Sequence, residues 1–264
     1  MHPGSIPGEA SNLPNLPPGA AACSTRVKRA MLAPRRVVLG MDTDFSEQRV
    51  KMVDGQVRTT DVTDLGVLDA MLAVPRETFV GANRRNLAYI DEHIEIAAPA
   101  AGQPARYLMQ PSPFAKLVQL AEIHPGDFVL DVGCGTGYSS AVLSRLASSV
   151  IALESDPALA QAATSTLSSL GCDNVAVVQG KLHEGYASEA PYDVIFVGGS
   201  VEEIPQTLFD QLKEGGRLVA VEGQGNAGVA RLFLKTTGIV AGRRAFNAAI
   251  RPLPGFERIR AFEF

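Results

Sequence analysis

The chain has no tryptophan, only three cysteines and four histidines in 264 residues, and no long hydrophobic run. Cys23, Cys134 and Cys172 form no Cys-x-x-Cys pair and are too few for a disulfide framework, so they read as free thiols in a reducing, cytoplasmic compartment. His2, His93, His124 and His183 are scattered, and none stands one helical turn from another ligand type, so no metal is expected. Glycine, proline or charge interrupts every apolar run well short of the roughly 18 residues a membrane-spanning helix needs, which argues against a membrane partner. Acidic side chains are nearly missing from one region. Residues 1–40 set five basic side chains against Glu9 alone, a balance of +4, while the remainder holds 19 basic and 27 acidic side chains, a balance of −8. An acidic body repels phosphate backbones, so nucleic acid is not an expected partner.

What is present describes one large globular domain, with 46% hydrophobic and 20% charged residues. Residues 1–40 contain six prolines and no periodicity, and are set aside from the fold as a disordered tail, a targeting peptide or a stretch upstream of a true start at Met41. From Ser46 to Arg58, Val50, Val53 and Val57 recur at helical spacing, and Asp64 to Met71 repeats the pattern, so residues 41–111 read as a small helical cap followed by loops with short extended pieces. A helix starts at Ser112-Pro113. Over residues 112–264, short apolar runs alternate with helical segments, as a doubly wound, Rossmann-like α/β sheet requires. The strands are expected at 128–132, 150–153, 175–179, 194–197 and 217–221. One helix is expected from Asp156-Pro157 to Gly171 and another from Pro205 to near Gly215-Gly216, with antiparallel edge strands at 231–237, 245–250 and 258–264.

The most informative stretch is Val129-Leu130-Asp131-Val132-Gly133-Cys134-Gly135-Thr136-Gly137-Tyr138, an apolar strand that ends in Gly-x-Gly-x-Gly and opens a helix. Glycines there let the backbone turn sharply and approach a ligand at the carboxyl edge of the sheet. A dinucleotide site wants Gly-x-Gly-x-x-Gly, whereas this spacing is one residue shorter and Asp131 stands two positions before the first glycine, which favours S-adenosyl-L-methionine. Glu154, 21 residues after Gly133, ends the next strand, where a carboxylate accepts hydrogen bonds from both ribose hydroxyls. Cys134 has no histidine beside it and reads as a packing residue.

After Met41 the sequence resembles protein-L-isoaspartate O-methyltransferases. The resemblance runs through Met52-Val53, Gln56, Asp64, Val67-Leu68, Ala70-Met71, Val74-Pro75-Arg76-Glu77-x-Phe79-Val80, Ala88-Tyr89-x-Asp91 and Gln110-Pro111, then Ala190-Pro191-Tyr192-Asp193-Val194-Ile195 and the run from Gln211 to Val219. The resemblance implies a class I methyltransferase domain over residues 41–264, using S-adenosyl-L-methionine to esterify the side-branch carboxylate of isoaspartyl residues in proteins or peptides. The ester then closes to a succinimide, and the protein is repaired. It also implies that Leu108 and Met109 line the cofactor through backbone groups, that Asp131, Gly133, Gly135 and Gly137 hold its methionine end, that Glu154 holds the ribose, and that Lys181 and Leu182 stand at the adenine. Three stretches depart from the family. Met109 replaces the serine of Thr-Ile-Ser-Gln-Pro, Gly180-Lys181-Leu182 replaces Gly-Asp-Gly, and Gly198-Gly199-Ser200 replaces Thr-Ala-Ala. These changes leave open a different acceptor, or a cofactor-binding protein without repair activity.

Overall fold

A computed structural model describes residues 44–100, 103–223 and 225–258. The expected tail over 1–40 and all but the first residue of the expected strand at 258–264 lie outside the described residues. The described residues form one compact unit.

The cap opens with α1 (Phe45–Met52), capped by Asp44, whose carboxylate accepts from the amides of Ser46 and Glu47 at 3.0 and 3.3 Å. Its last turn loosens into a π-turn over Val53–Val57 and a 3-10 turn over Arg58–Thr60. The second helix, α2 (Leu65–Ala73), is capped by Asp64 and stops where Pro75 forces Val74 into an extended conformation. Two further 3-10 turns lead into an antiparallel hairpin, β1 (Ile94–Ala97) and β2 (Arg106–Leu108), which stands apart from the main sheet. The extended pieces expected before Met109 are this hairpin. Pro111, in the first turn, then opens α3 (Pro111–Leu120).

The body alternates β3 (Phe128–Val132), α4 (Tyr138–Leu143), β4 (Ser149–Glu154), α5 (Pro157–Ser169), β5 (Val175–Gln179), β6 (Tyr192–Val201), α6 (Gln206–Asp210), β7 (Leu212–Glu222), β8 (Val229–Thr236) and β9 (Ile239–Asn247). The sheet order is β5-β4-β3-β6-β7-β8-β9, parallel through β7 and antiparallel beyond it. The chain runs outward from β3 in one direction and then, at β6, in the other, so the carboxyl ends of β3, β4 and β6 surround the switch point where doubly wound sheets take ligands. Cap and sheet share one apolar core. Phe79 meets Tyr138 edge-on at 5.5 Å, and Phe114 lies 5.4 Å from Tyr138 and 5.8 Å from Phe196.

Two expectations are corrected. The helix after Pro205 ends at Asp210 instead of near Gly215-Gly216, because Gln211 turns its amide inward, donating to Glu184 O and Thr207 O and accepting from Tyr186 N. The glycine pair belongs to a bulge: Tyr192 pairs with Leu212 and Val194 with Arg217, so residues 213–216 loop out of β7. The second edge strand runs Ile239–Asn247 instead of 245–250, since the tight turn at Thr237-Gly238 sends the chain straight back along β8. Residues after Asn247 instead cross the carboxyl edge of the sheet, held by Ser200 N to Arg251 O at 3.0 Å and Leu253 N to Ser200 O at 2.9 Å.

Candidate functional site

The glycine turn is stitched to its neighbouring strand. Gly133 N and Cys134 N both donate to Leu153 O, at 2.9 and 3.2 Å, and Gly135 N donates to Glu154 Oε2 at 2.8 Å. Gly133, Gly135 and Gly137 have φ of 83, 58 and 98°, conformations that side chains disfavour, and Gly137 opens α4. The open faces of the turn are covered by side-chain tips. A Cβ on Gly133 would lie 2.8 Å from Leu253 Cδ2, and one on Gly135 would lie 2.7 Å from Ile96 Cδ1.

Two buried carboxylates face this turn. Asp131 Oδ2 accepts from Ser139 and Ser140 at 2.6 Å each, while Oδ1 is buried without a partner among the described residues. Burial raises the Asp131 pKa to about 6, against the two serine hydrogen bonds and with some help from the charge on Glu154. Glu154 is wholly enclosed. Arg106 grips it with both arms of its guanidinium, Nη1 to Oε1 at 2.6 Å and Nη2 to Oε2 at 2.8 Å, and the amides of Ser155 and Asp156 add bonds to Oε1 at 2.8 and 3.0 Å.

The other expected residues are placed unevenly. Leu108 and Met109 are buried and line a void of about 20 Å³ beside Gly133, Cys134 and Tyr138. The Met109 carbonyl is taken by Arg76 Nη2 at 2.6 Å, and Arg76 Nε donates to Ala88 O at 2.8 Å. Leu182 is buried in the apolar cluster that also holds Leu130, Leu253 and Phe256, whereas Lys181 is exposed and pairs with Glu184 at 2.8 Å. Gly198-Gly199-Ser200 acquires a steric explanation. A Cβ on Gly199 would stand 2.6 Å from Leu253 Cγ and 3.0 Å from Arg251 O, so the missing side chain admits the returning C-terminal segment, and Ser200 Oγ donates to Ile250 O at 3.1 Å. Burial raises the Cys134 thiol pKa well above its ordinary value, which keeps it unreactive.

Sequence reasoning missed Arg106, Ile96, Leu253, His93 and Arg251. Arg106 and Glu154 lie 48 residues apart, and the only local sign was one cation inside an apolar extended piece. A larger cavity, of about 510 Å³, has a lining that includes Glu92, His93, Gln110, Asn226 and Arg251. Arg251 stacks 4.9 Å from the centre of the Tyr107 ring and has no acidic partner among the described residues. His93 clasps three segments, its Nδ1 accepting from Gln110 N at 3.2 Å while Nε2 lies 3.0 Å from Ala249 O. This requires the neutral ring with its proton on Nε2. Burial lowers the His93 pKa; the bond to Ala249 and the charge of Glu92 oppose that shift, while Arg251 and Arg76 reinforce it.

A folded pKa below the unfolded value means that the unfolded chain takes up the proton first. The stability held by neutral His93 is therefore complete above about pH 6.5 and is lost as pH falls from there through the lowered folded value. Asp131 has the opposite sign, since its raised folded pKa favours the fold on acidification. Comparison with His93→Gln, which can still accept and donate, isolates the histidine: below pH 6.5 the wild-type Tm should fall relative to the variant. Parallel Tm–pH curves would show that His93 is no clasp.

Among the described residues no helix is long and apolar enough to cross a membrane, and no cluster of three or more His, Cys, Asp or Glu could hold a metal ion. The sequence model of the family described as Protein-L-isoaspartate(D-aspartate) O-methyltransferase (PCMT) matches residues 47–253. A protein-L-isoaspartate O-methyltransferase from Koribacter versatilis is 38% identical over 213 residues, covering 81% of this chain and 93% of its own. One from Methanoculleus marisnigri is 40% identical over 176 residues, covering 67% and 77%. A solved structure of a protein-L-isoaspartate O-methyltransferase superposes with a TM-score of 0.68 at 30% identity, over 78% of this chain and 66% of that one. The same fold is seen at 22% identity in a Plasmodium falciparum protein solved with S-adenosyl-L-homocysteine, with a TM-score of 0.64 over 77% and 96% of the two chains.

Proposed function

The chain belongs to the protein-L-isoaspartate O-methyltransferase family, and we propose that it transfers a methyl group from S-adenosyl-L-methionine to the carboxylate of isoaspartyl residues in proteins or peptides, in the cytoplasm. The observation that carries this reading is the pairing of the glycine turn with Glu154, a wholly buried carboxylate at the adjacent strand end over the switch point. The donor set suits the cofactor in chemistry. Glu154 is an acceptor for a sugar diol, the unpartnered Oδ1 of Asp131 is a buried acceptor near the methionine end, and Leu182 offers an apolar wall for adenine. Leu108 and Met109 would contribute backbone groups; the Met109 thioether cannot replace the hydroxyl of a serine. Exposed Lys181 would stand at the rim.

In this reading residues 41–111 supply most of the acceptor side and residues 112–264 most of the donor site, with Leu108 and Met109 reaching the cofactor and Arg251 the acceptor. When bound, the cofactor supplies a methyl on a sulfonium: the S–CH₃ bond breaks as the O–CH₃ bond forms, the sulfonium and carboxylate charges cancel, and no proton moves. The acceptor is ionised at neutral pH, so no general base is needed. The chain's own contribution is positioning and exclusion of water. Its cation for that task is Arg251, which lines the larger cavity beside Gln110 and is braced on Tyr107. Arg251→Ala should raise the acceptor KM about tenfold, the loss of roughly one charge-assisted hydrogen bond, with kcat little changed. A steady-state titration of isoaspartyl peptide at saturating cofactor reads this; an unchanged KM would remove Arg251 from the acceptor site. The function itself is tested by incubation with an isoaspartyl peptide and methyl-labelled cofactor. Base-labile methyl ester is expected above a matched aspartyl control, and its absence would overturn the assignment.

A further inference from the structure

The space at the glycine turn is closed by the chain itself. The void there is about 20 Å³, room for about one water molecule, whereas small-molecule sites run to roughly 300–1,000 Å³. Ile96 lines that void and covers Gly135, and around it two more side chains occupy the turn and its neighbouring strand end: Leu253 over Gly133, and Arg106 on Glu154. Two of the three, Ile96 and Arg106, belong to the β1–β2 hairpin.

We propose that Arg106 sets the affinity for the nucleoside cofactor by holding Glu154 in its place, and that the cofactor enters as the hairpin withdraws Arg106 and Ile96 together. The inference rests on the reading of Glu154 as the sugar acceptor. An ionised carboxylate offers about four lone-pair positions, and Glu154 already accepts from both arms of Arg106 and from the amides of Gly135, Ser155 and Asp156. A ribose diol therefore has no acceptor until the guanidinium leaves. Its departure removes one bond from each oxygen and leaves Oε2 with the Gly135 amide alone, open to a sugar hydroxyl, while Oε1 keeps the amides of Ser155 and Asp156 and the hydroxyl of Ser155. The pairing also answers a physical need, because a carboxylate with no exposed surface and no counter-charge is strongly disfavoured. Arg106 satisfies Glu154 until a ligand does.

The occupants can move. At Gly133 and Gly135 they are the methyl ends of Leu253 and Ile96, with no backbone atom among them. Among the described residues the two strands of the hairpin pair only with each other, outside the seven-stranded sheet, and an isolated two-stranded hairpin is marginally stable. Its side-chain ties to the cap and body include the Arg84–Glu95 pair at 2.8 Å, which is partly exposed, and the clasp at neighbouring His93. Such an element opens at lower free energy than the sheet beneath it.

A binding-competent state populated at one to ten per cent weakens apparent affinity by about ten- to a hundredfold, and removing the competitor restores that factor. Arg106→Gln is expected to tighten binding of S-adenosyl-L-homocysteine by about tenfold or more in calorimetry. Ile96→Ala, which leaves the ion pair intact, should tighten it by a smaller factor and serves as the second variant if Arg106→Gln folds poorly. In the wild type, amides of residues 94–97 and 106–108 should exchange hydrogen faster when the ligand is bound. Wild-type binding with unchanged affinity in both variants and unchanged hairpin exchange overturns the role of Arg106 and leaves the cofactor assignment standing. Failure of the wild type and both variants to bind overturns both.

Discussion

Glu154→Gln is expected to weaken retention of S-adenosyl-L-homocysteine by about a hundredfold and to cost about 3–5 kcal/mol of folding stability. The two effects have separate causes. For the ligand, one sugar hydroxyl loses its acceptor and the other exchanges a charged acceptor for a neutral one, a loss of roughly 2–4 kcal/mol. For the fold, Arg106 becomes a cation with 7% of its side chain exposed and no counter-charge, and removing one partner of a buried pair costs about the amount stated. The new amide also turns a donor toward other donors, since both carboxylate oxygens now face N–H groups. Denaturant melts and equilibrium dialysis separate the two effects. The double variant Glu154→Gln with Arg106→Met should regain the part of the stability lost to the unpaired buried cation, though not the part lost to the amide facing backbone donors, and none of the binding. Wild-type affinity in Glu154→Gln would remove the carboxylate from the cofactor site.

The strand β3 was legible to the residue because a buried parallel strand is a nearly continuous apolar run that needs no partner to be recognised, and β5 was legible from its Val-Ala-Val-Val run although it lies half-exposed at the sheet edge. The glycine turn and Glu154 were legible for a similar reason: backbone geometry and the length of one β-α-β unit fix their relation. The bulge at 213–216 was not, since Gly215-Gly216 after a helical segment reads as a helix stop until the inward hydrogen bonds of Gln211 are known. Neither was β9, whose outer-edge residues Gly242, Arg243 and Arg244 dilute the strand pattern. Arg106, Ile96 and Leu253 reach the turn from segments distant in sequence, so their effect on the site was invisible in one dimension. Here the structure changes the functional reading. In the function proposed above a nucleoside belongs at the turn, and there it would have to displace the side chains of Ile96 and Leu253 that now cover the glycines.

The charge buried behind Met109 leads to the other large effect. Arg76→Met should destabilise the fold by about 2–4 kcal/mol, and the sign needs argument because Arg76 has no exposed surface and burial lowers its pKa, opposed by neighbouring Tyr138. Removing a cation from such a place relieves a desolvation penalty, and Met fits the space well. Against this, the carbonyls of Ala88 and Met109 lose donors at 2.8 and 2.6 Å, each at about 1–3 kcal/mol when left buried and unsatisfied. A guanidinium 4.7 Å from the centre of the Tyr138 ring adds a desolvated cation–π contact of about 2 kcal/mol. Arg76 Nη1 already lacks a partner among the described residues, so removing that end breaks no further hydrogen bond. The losses outweigh the relief. Arg76→Lys keeps the charge but cannot span both carbonyls with a planar fork, and it should recover at most about half of the deficit. Because Arg76 ties the cap turn to the carbonyl between β2 and α3, both variants should also raise the acceptor KM while leaving binding of S-adenosyl-L-homocysteine within about threefold of wild type. Urea melts at pH 7 read the stability, and a melt of Arg76→Met coincident with wild type would mean that the two carbonyls find other donors and that the cap is held by its apolar contacts alone.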